Sequence, residues 1–279
     1  TAGKKQGWVF AGAIQLPKGS EQALHSWRLA KRFEAFFGKQ LARDWQNWTL
    51  PAAPTVDASF ANFLTEGLRL RDTINQLIAR QVSHDASQAP PDFFWLSQFS
   101  PYFLIQQIGG GTSYYLFLDY RKVLQTALQT SGPQDDFFAQ AGLAAFPSDS
   151  IESALPAWVF PLSLEESASN LGAGKHLSSL LVLEQAWKSG PYFHTELRRM
   201  AELLLADILD KSRTYWQPRE KILAELKQIQ ACPLTCLTNR DRLALEARYQ
   251  MFETPEENDL ILNLRSGKCS ATWVLRISN

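Results

Sequence analysis

Cysteine is scarce: the 279 residues hold 3, at positions 232, 236 and 269. So few, and an odd number, cannot frame a disulfide-stapled secreted fold, and they point to a reducing, cytoplasmic compartment. Long apolar runs are lacking as well. The longest, Tyr102–Tyr120, is interrupted by Gln106, Gln107 and Gly109–Gly111, short of the roughly 20 apolar residues that a membrane span requires. Neither sign of charge is in excess, with 28 basic against 28 acidic residues. A neutral chain lacks the electrostatic footprint of a general nucleic-acid binder, although a local basic face is compatible with the balance. The opening TAGKKQGWVF has neither an initiator methionine nor the apolar region of a signal peptide, which reads as a trimmed chain.

Catalytic signatures are missing too. No serine stands in a Gly-x-Ser-x-Gly turn, so the exposed nucleophile of that motif is absent. The carboxylate pairs Asp135-Asp136, Glu165-Glu166 and Glu256-Glu257 fall in polar, turn-like segments, where acids cap helices or stay solvated. Gly172-Ala173-Gly174-Lys175 lies between a possible strand and a helix, the setting of a phosphate loop. That motif needs glycine where Ser169 stands and Ser or Thr where His176 stands. The loop is therefore expected to feed a helix and bind no nucleotide. Cys232 and Cys236, joined by Cys269 and a histidine, would supply four zinc ligands, but only one closely spaced pair exists. Small cysteines packed near a helix start are the simpler reading. Neither a metal nor a cofactor is expected.

What the chain does have is apolar bulk: 45% hydrophobic residues, with 17 Phe, 9 Trp and 7 Tyr, against 20% charged. That composition is globular. The segment 93–130 reads as its centre. Apolar runs flank Gly109–Gly111 as the two strands of a β-hairpin, expected to be buried on both faces, and a helix follows from Arg121. Before it, Leu24, Trp27, Ala30, Phe33, Phe37, Leu41, Trp45 and Trp48 recur at steps of three or four. They predict one long amphipathic helix ended by Pro51 and Pro54. Asp57 begins a second helix, to about Ser83. After an edge strand at Ala157–Leu164 and a polar loop at 165–174, three or four helices run from about Lys175 to Gln250. The strongest is Thr195–Tyr215. Strands are expected at Trp8–Leu16, Asp259–Leu264 and Ala271–Ile277.

The predicted class is α+β, with a small, largely antiparallel sheet of the central hairpin plus N- and C-terminal strands, packed with amphipathic helices. A division at 1–165 and 166–279 is expected, the second part mainly helical, unless the two form one continuous domain. The functional reading is a non-enzymatic binding or assembly protein whose partner is another protein. Arg28, Arg32, Lys39 and Arg43 line one flank of the first helix, and Trp45 and Trp48 at its end are expected to stay partly exposed as anchors. A competing reading is an enzyme or small-ligand domain with a pocket beside the hairpin, lined by Trp95, Tyr102, Tyr114, Tyr115 and Phe117. A third is a nucleic-acid-associated protein using the basic flank.

Overall fold

The computed structural model describes residues 20–49, 54–81, 92–98, 102–108, 113–147, 155–162 and 167–254. The strands expected at Trp8–Leu16, Asp259–Leu264 and Ala271–Ile277, and the Gly109–Gly111 turn, lie outside them. Among the described residues the chain is α+β and mostly helical, with two antiparallel sheets of two strands each. No helix there is long and apolar enough to cross a membrane.

The first helix is broken in two. α1 (Ser20–Phe37) and α2 (Lys39–Thr49) meet at Gly38, whose φ of 89° lies in the left-handed region. Glycine enters that region without a Cβ clash. Its N–H donates to Glu34 O at 2.9 Å and its carbonyl accepts from Ala42 N at 3.1 Å, so it ends one helix and starts the next. The bend turns both apolar stripes inward. Phe33 and Phe37 from α1 meet Trp45 and Trp48 from α2, with the Phe33 and Trp45 rings 5.6 Å apart. α3 (Asp57–Gln81) closes over the pair. Trp48 stacks on Phe63 at 4.9 Å and donates its indole N–H to Phe63 O at 2.8 Å.

β1 (Phe103–Ile108) pairs antiparallel with β2 (Ser113–Leu118), Ile105 opposite Leu116. The hairpin is buried on one face, not two: Phe103, Ile105, Tyr114, Leu116 and Leu118 point inward, while Leu104, Tyr115 and Phe117 are half-buried. The reason is coverage, since α3 packs against β2 and the α2 aromatics reach Phe103. Asn75 of α3 finishes the β2 edge. Its amide oxygen accepts from Leu116 N at 2.8 Å and its nitrogen donates to Leu116 O at 3.1 Å, in place of a third strand.

α4 (Tyr120–Ala127) and α5 (Gln134–Ala145) follow. At the start of α5, two helix N-termini converge. Asp57 of α3 accepts from Gln134 N at 3.4 Å, and Thr130 Oγ1 donates to the buried Asp135 at 2.7 Å. β3 (Val159–Pro161) then pairs antiparallel with β4 (Ser167–Ser169), so part of the segment expected to be a polar loop is a strand. α6 (Lys175–Ser189), α7 (His194–Leu209), α8 (Arg219–Ala231) and α9 (Asn239–Glu253) complete the described chain. α6 packs on α5 and α7 on both. One hydrophobic core runs from Phe33 to Phe252.

Candidate functional site

Of the six residues predicted to bind a partner, four are on the surface and two are not. Arg28, Lys39 and Arg43 are exposed, and no hydrogen bond or ion pair holds them among the described residues. Arg32 is exposed but engaged, its guanidinium 4.6 Å from the Trp95 ring centroid and its Nη2 donating to Asp92 O at 3.4 Å. Trp45 and Trp48 are 1% and 6% exposed. Their expected exposure is corrected by the bend at Gly38: it folds the C-terminal end of the stripe against α3 and β1, where both indoles fill the core.

The exposed end of the stripe is the other one. Trp27 on α1 is 58% exposed, the only exposed tryptophan among the described residues. It lines an open groove of about 300 Å³ between α1 and α2, together with Lys31, Lys39, Arg43 and Gln46. Lys31 is paired with Glu34 at 2.7 Å. The groove thus sets an indole beside two unpaired cations, the pairing that the sequence had suggested for Trp48. Only the position of the helix break decides which tryptophan plays that part, and an isolated glycine in a helical pattern does not announce a break.

The Gly172–Lys175 loop does form an anion cradle, and the protein fills it itself. Glu225 of α8 accepts from Gly172 N at 2.5 Å, Gly174 N at 3.0 Å and Leu177 N at 2.9 Å. A buried carboxylate therefore stands where a phosphate would, capping α6 in trans. The cysteine pair fares similarly. Cys236 is buried, its backbone N–H donating to Glu184 at 2.9 Å. Burial, with Glu184 alongside, pushes its thiol up to about 12, which leaves it a poor nucleophile and ligand. Among the described residues no group of three or more His, Cys, Asp or Glu could hold a metal ion.

A buried Ser–Asp–His set sits between β4, α6 and α7, composed like a hydrolytic triad but wired otherwise. Asp207 stands in the middle: Ser169 Oγ donates to it at 2.5 Å, His176 Nε2 lies 2.9 Å away and Arg213 Nε donates at 2.7 Å. Burial pushes Asp207 up, yet the bonds from His176 and Ser169, with Arg213, hold it below the usual carboxylate range. Ser169 faces only the weakly basic Asp207 carboxylate and no imidazole, and both it and His176 are fully enclosed. The set ties β4 to α6 and α7; as a nucleophile it would lack both activation and access.

Two further concavities flank α3. One of about 460 Å³ is floored by Trp48 and Phe63 and edged by Asp44, Glu66 and Arg69. Its charged groups are already engaged, Glu66 with Arg69 at 2.6 Å and Asp44 with Gln40 at 2.8 Å. The other, of about 190 Å³, does lie beside the hairpin. Of the five residues expected to line such a pocket only Phe117 does so, because Trp95 and Tyr114 point into the core. Compared with protein-family models, curated proteins and solved structures, the chain matches none.

Proposed function

We propose that this is a non-enzymatic binding protein that docks an acidic segment of a partner protein on the α1–α2 face, in a reducing, cytoplasmic compartment. One observation carries the reading: Trp27 is 58% exposed in the groove that also holds the unpaired Lys39 and Arg43. An indole beside cationic side chains is the composition enriched in binding hot spots. Arg28 and Arg32 extend the basic character along α1. Trp45 and Trp48 belong to the platform beneath the face and drop out of the contact set. A protein segment suits the face better than nucleic acid, because Glu34 and Asp44 interleave with the cations and the chain as a whole is neutral.

The test is peptide selection from a random display library on the immobilised full chain. The expected consensus places Asp or Glu beside an apolar residue, and added salt weakens binding. Trp27→Ala and Arg43→Ala should each weaken the selected peptide about tenfold or more, with unfolding unchanged. A consensus without acids, or unaltered affinity in Trp27→Ala, overturns the proposal. RNA binding with a steep salt dependence and no peptide enrichment would replace it with the nucleic-acid reading.

A further inference from the structure

The concavity beside the hairpin has a different chemistry from the α1–α2 face. Its walls are Leu68 of α3, Phe117 of β2, Phe138 of α5, Phe146 just beyond it, and Met200 of α7. Tyr120, the first residue of α4, lies on its floor. The ring stacks on Phe146 at 5.9 Å with planes 12° apart. It can sit there only because α5 carries Gly142, where a Cβ would come within 2.0 Å of the ring. Burial pushes the phenol above its ordinary pKa, so it stays protonated and able to donate. The residue is half-buried, and its hydroxyl makes no hydrogen bond among the described residues, which leaves the donor unmatched. A polar group on a ligand would supply the match.

Charges gather at the mouth. Arg71 and Glu196 both act electrostatically on Tyr120, and Arg199 lines the same opening. Arg71 gives Nε and Nη2 to Asp72, at 2.9 and 2.6 Å, leaving Nη1 uncommitted. Neither Arg199 nor Glu196 has a hydrogen bond or ion pair among the described residues. Glu196 and the Asp72 paired with Arg71 balance the two guanidinium groups in charge, so what the mouth offers a carboxylate is uncommitted N–H donors, on Arg199 and at Arg71 Nη1. The volume, about 190 Å³, is slightly more than the roughly 150 Å³ engineered cavity that takes benzene. We propose that this pocket binds a small aromatic monocarboxylate, its ring among Phe117, Phe138 and Phe146 and its carboxylate between Arg199, Arg71 and the Tyr120 hydroxyl. Several convergent polar groups above an apolar chamber are the general form of such a site.

The proposal is independent of the α1–α2 face and can fail without it. The full chain is titrated with 3-phenylpropionate, 3-phenylpropan-1-ol and 3-phenylpropylamine, followed by calorimetry and by shifts of aromatic resonances. The acid should bind at one site, about tenfold more tightly than the alcohol, and the amine more weakly still. Tyr120→Phe, which keeps the ring, and Arg199→Ala, at an exposed position, should each weaken the acid about tenfold. Equal binding of acid and alcohol, no binding of the acid at millimolar concentration, or binding untouched by Arg199→Ala would overturn the proposal. Should Tyr120→Phe fail to fold, the Arg199→Ala result decides alone.

Discussion

The two halves of the molecule are held together by different means. From α1 to the hairpin, rings pack on rings: Phe33, Trp45, Trp48, Phe63 and Phe103 form a chain of contacts at 4.9 to 5.7 Å. From α6 to α9, buried or half-buried charges cap helix ends on other elements. Glu225 takes the α6 N-terminus. Arg248, 2% exposed, donates to Ile208 O and Asp210 O at the end of α7, each at 3.0 Å, and to the Tyr215 hydroxyl. Arg219 holds Phe252 O at 2.5 Å and Glu253 O at 2.6 Å at the end of α9. Arg198 grips Asp241 through two nitrogens. At the α6 N-terminus and the α7 and α9 C-termini, the helix macrodipole favours the charge that caps them. The difference bears on the proposed function: these second-half arginines are committed to structure, whereas Arg28, Lys39 and Arg43 on α1 and α2 have no hydrogen bond or ion pair among the described residues.

The largest expected effect contrasts the two kinds of glue. Arg248→Met leaves Ile208 O and the Tyr215 hydroxyl without a donor and Asp210 O with only two long ones at 3.4 Å, and should cost about 3–5 kcal/mol in urea unfolding. Trp45→Phe keeps an apolar ring in place and should cost about 1–3 kcal/mol. A costlier Trp45→Phe would break the comparison. Glu225→Gln comes next, at about 2–3 kcal/mol. The shape is preserved, but one oxygen is replaced by an NH₂ that faces backbone donors. A neutral result would mean that the α6 cap contributes nothing.

Acid sharpens the contrast, because the α3–α5 junction and the charged contacts of α6 to α9 respond with opposite sign. At the α3–α5 junction, burial, then the neighbouring Asp57 and Asp136, push Asp135 up to about 6 from an ordinary 3.8, against the Thr130 hydrogen bond. The folded value exceeds the unfolded one, so this contribution is complete below 3.8 and lost as pH rises through about 6. Bonds from Arg198 and Thr238 outweigh burial and hold Asp241 at about 2. Burial pushes Glu184 up, yet the Thr235 and Cys236 backbone N–H groups with Lys188 bring it to about 2. Those contributions are complete above the ordinary 3.8 and 4.5 and lost as pH falls toward 2. Asp135→Asn should therefore flatten the decline in stability between pH 3.8 and about 6, and Glu184→Gln should flatten the loss on the acid side. Urea midpoints across that range decide it; identical profiles for wild type and Asp135→Asn would remove the junction from the account.

How much of this the sequence made legible follows the same divide. Ring packing depends on local periodicity, and the steps of three and four picked out Phe33, Phe37 and Leu41 as apolar face, while Trp45 and Trp48, expected partly exposed, are buried with them. The bend at Gly38 did not show, since only packing against α3 and the hairpin makes two short helices better than one long one. Nor did the single buried face of the hairpin, because apolar runs look alike whether one or both sides are covered. Capping across elements was invisible for another reason: Glu225 reaches Gly172 across 53 positions and Arg248 reaches Ile208 across 40. In a pattern, such residues look like any solvated helical charge. On the proposed face, the exposure of Arg28, Arg32, Lys39 and Arg43 was legible from their helical spacing, whereas the exposed tryptophan is Trp27 and not Trp45 or Trp48.

The most direct measurement removes one free cation and one committed cation and reads both stability and affinity. Arg43→Ala should leave the urea midpoint within about 0.5 kcal/mol of wild type and weaken the selected acidic peptide about tenfold. Arg219→Ala should do the reverse, losing about 1–3 kcal/mol of stability as two α9 carbonyls lose their donor, with peptide affinity unchanged. Loss of stability in Arg43→Ala at unaltered affinity, or loss of affinity in a folded Arg219→Ala, would contradict the division between binding charge and structural charge.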